Sequence, residues 1–371
     1  MNEDKATRYH RLRRRVAVGS AGLSAVWLLG LLVTGGSARL REVAAGFAGG
    51  GLTATVATYA VLLGLATEAL HLPVAWYRGI VLERRLGLST ERASRWWADQ
   101  ARAGAVALVL GLPAVLALYG LLAWLPDRWW LAAAAGAALA LVVLVHAAPV
   151  VLLPLFYDCR PLDRPALAAR LTALAGRAGA RVVGVFEWRL GDRTRKANAA
   201  LLGLGRTRRI LVSDTLLAEH SDDEVEVVVA HELGHHAHHD LWRGMALEAL
   251  RLGVAFYVAD LALAMLAGPL GLAGKADVAG LPIMLLAIGA VSAVLQPVAN
   301  VASRAHERRA DRYALAMTQN PDAFISAMRR LGDRNLAEPH PSHLAQVLFH
   351  THPPVADRIA AARRWTPPAP G

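Results

Sequence analysis

The sequence predicts a mainly α-helical protein that crosses a membrane about six times and carries a small α+β domain in water. Three observations predict this. The chain of 371 residues is 55% hydrophobic yet carries a formal net charge of +11. Its apolar residues fall into six long stretches, each near the roughly 20 residues that a helix needs to cross a bilayer. Between the fourth and fifth stretches lies a segment with the mixed helix, strand and turn signals of a water-soluble unit.

The expected spans are residues 16–33, 52–72, 103–125, 129–156, 253–272 and 281–298. The first follows the basic leader Arg8, Arg11, Arg13, Arg14 and Arg15. It is longer than the roughly 7–15 apolar residues of a cleaved secretory signal, so it is expected to stay as an anchor. Basic residues in short loops mark the cytoplasmic side. The leader is strongly basic, and the 73–102 loop holds Arg78, Arg84, Arg85, Arg92, Arg95 and Arg102. The opposite loops, 34–51, 126–128 and 273–280, are short and charge-poor. Both termini and the soluble segment are therefore expected in the cytoplasm, with the chain in the inner (cytoplasmic) membrane.

This gives four regions: 1–156 with about four spans, 157–240 in the cytoplasm, 241–299 with two further spans, and 300–371 in the cytoplasm. Within the soluble part, 164–179 has helical spacing and a glycine stop, and 181–188 reads as a strand. Residues 196–202 and 208–213 read as a hairpin, and the proline-rich end 367–371 as frayed. The basic charge has no aromatic interleaving or helix-turn-helix pattern, so a nucleic-acid partner is not expected and a lipid bilayer is. The single cysteine, Cys159, excludes an internal disulfide and a cysteine-built zinc site.

Residues 231–235, His-Glu-Leu-Gly-His, carry the chemistry. On a helix, His231 and His235 lie four apart on one face and can reach one ion, with Glu232 beside them to deprotonate a water. Ser221 and Glu224 have the spacing of a capping box at the start of that helix. The plainer alternative is a helix with two satisfied histidines and a surface glutamate. A zinc hydrolase needs a third protein ligand. The extended form of the motif, with Gly three and His six residues past His235, is absent, because His238 and Leu241 stand there. Glu248 would lie roughly 20 Å along an unbroken helix from His235, out of reach. Glu307 and Asp311 share a helix face, so Glu307 could bind the ion while Asp311 accepts the free N–H of a ligating histidine. Alone, this segment reads as a solvated charged helix; beside the 231–235 motif it supplies the third-ligand candidate.

Several spaced motifs resemble those of the M48 zinc metallopeptidases, Ste24-type (CAAX prenyl protease-like) membrane proteases in particular, with the heat-shock membrane proteases as a cousin branch. They run from residues 72–89 through Pro154–Phe156, 198–203 and 209–217 to the 231–235 motif. Beyond it lie Ser303, Arg304, Glu307 and Asp311, then His352, Pro353 and Arg358. The resemblance implies a gluzincin-type domain with one Zn²⁺ per chain on His231, His235 and Glu307, and Glu232 as general base. It also implies His352 near the reacting carbonyl, Arg358 in support of the ligands, and Asn198 on an edge strand that pairs with substrate. The substrate class implied is polypeptide: membrane-associated, misfolded or C-terminally lipidated. His236, His238, His239 and Asp240 depart from the continuation usual in Ste24-like chains. A protein that binds or transports zinc without proteolysis is the alternative; it would distribute ligands across several spans near the midplane.

Overall fold

The computed structural model describes residues 4–367. The proline-rich end beyond 367 lies outside the described residues. Six helices are long and apolar enough to cross a membrane: Lys5–Val33, Leu52–Arg85, Ala93–Trp124, Trp129–Phe156, Asp240–Leu266 and Val278–Thr318. Spans expected at 16–33, 52–72, 129–156 and 281–298 lie wholly within them, 103–125 overruns Trp124 by one residue, and 253–272 is corrected, because its helix starts at Asp240 and already ends at Leu266. Large apolar side chains such as Val26, Val33 and Val294 are 70%, 78% and 74% exposed on these helices. Faces of that kind are stable only against lipid or a partner.

The loop expected at 34–51 contains a helix, Gly36–Phe47. Its 12 residues cover about 18 Å, too short to cross. Ser37 on it hydrogen-bonds the Ala279 carbonyl at 2.6 Å, and Arg41 pairs with the buried Asp277. This end of the bundle is thereby closed around Tyr59, Trp129 and Leu263.

At the other end sits a four-stranded sheet: β1 (Cys159–Pro161), β2 (Val185–Trp188), β3 (Ala199–Leu202) and β4 (Arg209–Ser213), in spatial order β1-β2-β4-β3. β2 and β4 are parallel, and β3 and β4 form the expected antiparallel pair, with Ala199 opposite Val212. At the turn Gly203 has φ +93, and a Cβ there would meet the Thr207 carbonyl oxygen at 2.7 Å, so only glycine fits. The expected helix at 164–179 is Pro165–Arg177. Its Leu167, Leu171 and Leu174 pack into one core with Ile210, Val225, Val229, Leu233 and Phe324.

Two helices set the geometry of the site. The first, Asp222–Ala237, starts in the capping box read from sequence: Ser221 accepts from the Glu224 N–H, and Glu224 accepts from the Ser221 N–H at 2.8 Å. The second is the C-terminal part of the 38-residue helix Leu281–Thr318. They approach closely at Gly234, where a Cβ would lie 2.9 Å from the Ala310 Cα. The first helix does not continue unbroken into the fifth spanning helix. It ends at Ala237, His239 takes a left-handed conformation (φ 56), and a new helix starts at Asp240.

The basic end of the first spanning helix packs against this same unit. Lys196 Nζ lies 2.8 Å from the Tyr9 hydroxyl, His10 Nε2 lies 2.9 Å from the Leu336 carbonyl, and Arg14 bonds Glu338 at 2.5 Å. The N-terminal basic leader and the sheet therefore lie at the same end of the spanning helices.

Candidate active site

Helical spacing places His231 and His235 on one face, and the close pass at Gly234 brings Glu307 against both. His231 Nε2 lies 3.2 Å from Glu307 Oε2, and His235 Nε2 lies 3.4 Å from Glu307 Oε1. The outer ring nitrogens are each held by a carboxylate: His231 Nδ1 is 2.9 Å from Asp311, and His235 Nδ1 is 3.1 Å from Asp240. Both imidazoles are thus turned so that Nε2 faces inward, the tautomer control that metal-binding histidines require. Arg358 fixes Asp311 through two bonds, of 2.9 and 2.5 Å, to its two oxygens.

The donor set fits zinc. Two imidazoles and a carboxylate are its ordinary ligands, and bonds of about 2.0–2.1 Å in a tetrahedron separate the donors by about 3.3 Å. The two Nε2 atoms lie 3.2 and 3.4 Å from Glu307, each from a different oxygen, so the three side chains converge on this scale. Glu307 is buried, and its Oε2 has no well-formed hydrogen bond despite two histidine nitrogens nearby. The electrostatics also call for positive charge here: burial opposes charging His231, but Asp311 and Glu307 outweigh it and raise its pKa to about 9.

Glu232 is half-buried on the wall of a cavity of about 630 Å³ that His231, Glu307, Asn198, His352 and Arg358 also line. Burial holds its carboxyl above the ordinary range. His352 stands at the mouth, its side chain 64% exposed and its Nδ1 2.8 Å from Glu307 Oε2. Asn198 precedes the edge strand β3 and is exposed to the cavity. All eight residues singled out from the sequence therefore meet around one cavity or directly behind it. Glu248, set aside on distance, pairs with Arg251 at 2.8 Å. His236, His238 and His239 do not converge as a set of three donors among the described residues: His238 bonds the Gly234 carbonyl at 2.8 Å, and His239 forms the helix break.

Sequence reasoning missed Asp240, Arg304 and Arg309. Asp240 reaches His235 only because the chain turns at His239; five residues along an unbroken helix it would lie about 140° around the axis. Arg309 secures Asp240 at 2.7 Å. Arg304 donates to the Gln346 and His350 carbonyls, both at 2.6 Å, and holds the turn that carries His352. A second convergence, His10, Glu338 and His350, lines the same cavity. There Arg14 already occupies both Glu338 oxygens, so the carboxylate is neutralised by a guanidinium.

Comparison with known proteins decides the family. The model of peptidase family M48 matches residues 161–366, which contain every candidate site residue. The chain belongs to peptidase family M48. A second model, the CAAX prenyl protease N-terminal region with five membrane helices, matches residues 2–158 of this M48 peptidase. There the structure has four helices of spanning length and the shorter Gly36–Phe47. Similar proteins include the uncharacterized metalloprotease YhfN of Bacillus subtilis, 28% identical over 82% of this chain and 72% of its own. CAAX prenyl protease 1 of Saccharomyces cerevisiae is 23% identical over 84% of this chain and 73% of its own. The crystal structure of S. mikatae Ste24p superposes with a TM-score of 0.87 at 21% identity, covering 96% of this chain and 88% of that one, and shows the shared fold. This M48 peptidase is a multi-pass membrane protein and a zinc metalloendopeptidase.

Proposed function

We propose that this M48 peptidase holds one zinc ion per chain on His231, His235 and Glu307 and cleaves extended polypeptide with Glu232 as general base. The observation that carries this is the convergence of two inward-turned Nε2 atoms on Glu307 in a cavity that Glu232 borders. Zinc bound by two imidazoles and a carboxylate supplies a Lewis acid and makes a water acidic near neutral pH.

Glu232 takes the proton of the attacking water and returns it to the leaving amine. Its raised pKa suits both transfers, since a weakly basic carboxylate would release the proton too early. His352, at the mouth, donates N–H to the oxygen that gains charge as the carbonyl is attacked. Asp311 and Asp240 hold the ligating histidines, and Arg358 holds Asp311. Asn198 and β3 bind substrate as an added strand, because β3 ends the sheet and its outer side borders the cavity.

The site lies at the end of the bundle where the basic leader sits, which supports a cytoplasmic active site and cytoplasmic termini in the inner membrane. The four regions 1–156, 157–240, 241–299 and 300–371 describe this alternation of membrane and cytoplasmic parts. Proposed substrates are membrane-associated or misfolded polypeptides, C-terminally lipidated ones among them, since several relatives carry the name CAAX prenyl protease. No nucleic acid is proposed as a partner. The non-proteolytic alternative called for ligands spread over several spans near the midplane; here they gather at one end of the bundle.

The test is casein degradation by detergent-purified wild type and Glu232→Gln, with zinc quantified in both. One zinc per chain in each protein, with cleavage lower by about 10²-fold or more in the variant, is expected. Full cleavage by the zinc-loaded variant refutes the role of Glu232. Matched peptides with and without a C-terminal prenyl group test the substrate class.

A further inference from the structure

The open edge of β3 is interrupted at one end by a side chain. The Ser213 N–H donates to the Asn198 carbonyl at 2.9 Å, so Asn198 faces β4. By the alternation of an antiparallel ladder, Ala197, Ala199 and Leu201 turn their backbone groups to the open side. At Ala197 both groups are already taken: its N–H donates to Asn335 Oδ1 at 3.0 Å, and Asn335 Nδ2 donates to its carbonyl at 3.1 Å. The Asn335 carboxamide makes the two bonds that a residue of an added strand would make. Among the described residues, Ala199 and Leu201 have no such partner on that side.

Asn335 is firmly held. It caps the helix Pro321–Arg334, with its N–H bonded to the Leu331 carbonyl at 2.9 Å. The next residue, Leu336, is left-handed (φ 51), and His10 Nε2 lies 2.9 Å from its carbonyl. Asn335 lines the same cavity as Glu232, Asn198 and Ala199.

We propose that Asn335 is a specificity-determining residue, the stop that limits how far a substrate extends along β3 on the C-terminal side of the scissile bond. This rests on the reading above, in which extended substrate adds to β3. Antiparallel addition is the more stable pairing. A substrate so placed runs opposite to β3, and its chain beyond Ala199 toward Ala197 is its C-terminal side. Ala199 and Leu201 offer it hydrogen bonds about 7 Å apart at the strand rise. A chain continuing past Ala199 meets Asn335 and must leave the sheet. Short C-terminal sides fit without that bend; long ones do not.

The experiment uses full-length protein and quenched-fluorescence peptides built on a cleavage site mapped in casein, identical on the N-terminal side and progressively longer on the C-terminal side. In wild type, kcat/KM is expected to fall by about tenfold once the chain passes the stop, the equivalent of a lost pair of ladder bonds. Asn335→Ala is expected to abolish most of that length dependence while the shortest peptides keep their rate. Asn335→Asp keeps the acceptor for the Ala197 N–H but loses the donor to the Ala197 carbonyl, and is expected to fall between wild type and Asn335→Ala. An unchanged length profile in Asn335→Ala overturns the proposal, as does an equal loss at every length, which marks a structural role only. A wild type that cleaves neither casein nor any peptide overturns instead the peptidase reading on which the proposal rests.

Discussion

Gly234 is where the two site helices touch, and Gly234→Ala tests whether that contact sets the metal geometry. The added methyl would lie 2.9 Å from the Ala310 Cα, 3.2 Å from the Ala310 carbonyl oxygen and 3.2 Å from the Tyr313 Cβ. Carbon atoms pack at about 3.5–4.0 Å, so the helices must part by roughly 0.6–1 Å at this point. Replacing glycine in a helix gains about 1 kcal/mol of propensity, while overpacking costs about 1–3 kcal/mol. The propensity gain is local to one helix and does nothing to restore the distance to Glu307. Metal sites tolerate about 0.2 Å in ligand distance. Zinc affinity is therefore expected to fall about tenfold or more, a loss of about 1.4 kcal/mol. Competition titration against a chromophoric chelator measures it, with casein cleavage at saturating zinc as a second readout. Gly244→Ala is the control, because a Cβ there has nothing within 4 Å. A Gly234→Ala protein with wild-type zinc affinity refutes the argument that close packing at this residue builds the site.

Other perturbations separate the supporting interactions. Asp240→Ala removes the carboxylate that orients His235, and zinc affinity should fall about 10–100-fold in the same titration. Ser221→Ala breaks the capping box and should cost about 0.5–2 kcal/mol, read as a lower thermal midpoint with unchanged zinc stoichiometry. His220 is 6% exposed, neither ring nitrogen has a well-formed hydrogen bond, and burial lowers its pKa. Its neutral form is favoured in the folded state, so stability should fall as pH drops below about 6.5, where the unfolded chain takes up the proton first. His220→Phe should flatten the thermal midpoint between pH 7 and pH 5; an unchanged slope would assign the acid sensitivity to other groups.

Much of this was readable in the residues. The 231–235 motif put two candidate ligands and a candidate base close together through local helical geometry, and hydropathy marked six spans because bilayer thickness imposes a length. Glu307 and Asp311 were singled out as candidates by pairing a four-residue spacing with the need for a third ligand and its support. The roles of His352, Arg358 and Asn198 came only through family resemblance, since a His-Pro turn, a helix arginine and an isolated asparagine carry no local signal. Asp240 stood in plain view yet was unreadable: its reach depends on a left-handed His239, a conformation that sequence periodicity does not register. The short strand β1 and the helix Gly36–Phe47 escaped for a similar reason, each being stabilised by neighbours distant in sequence.

By itself the sequence determined what repeats at short range: spans set by apolar length, a capped helix with histidines on one face, and a hairpin of two short strands. The tertiary structure alone decided what those pieces do together. It brought Glu307 to His231 across 76 residues through a glycine contact too close for any side chain. It folded Asp240 back on His235 and closed one end of the β3 edge with Asn335. Hydrogen bonds and metal ligands act over about 2–3.5 Å, whereas sequence patterns report only which face of a local element a residue occupies.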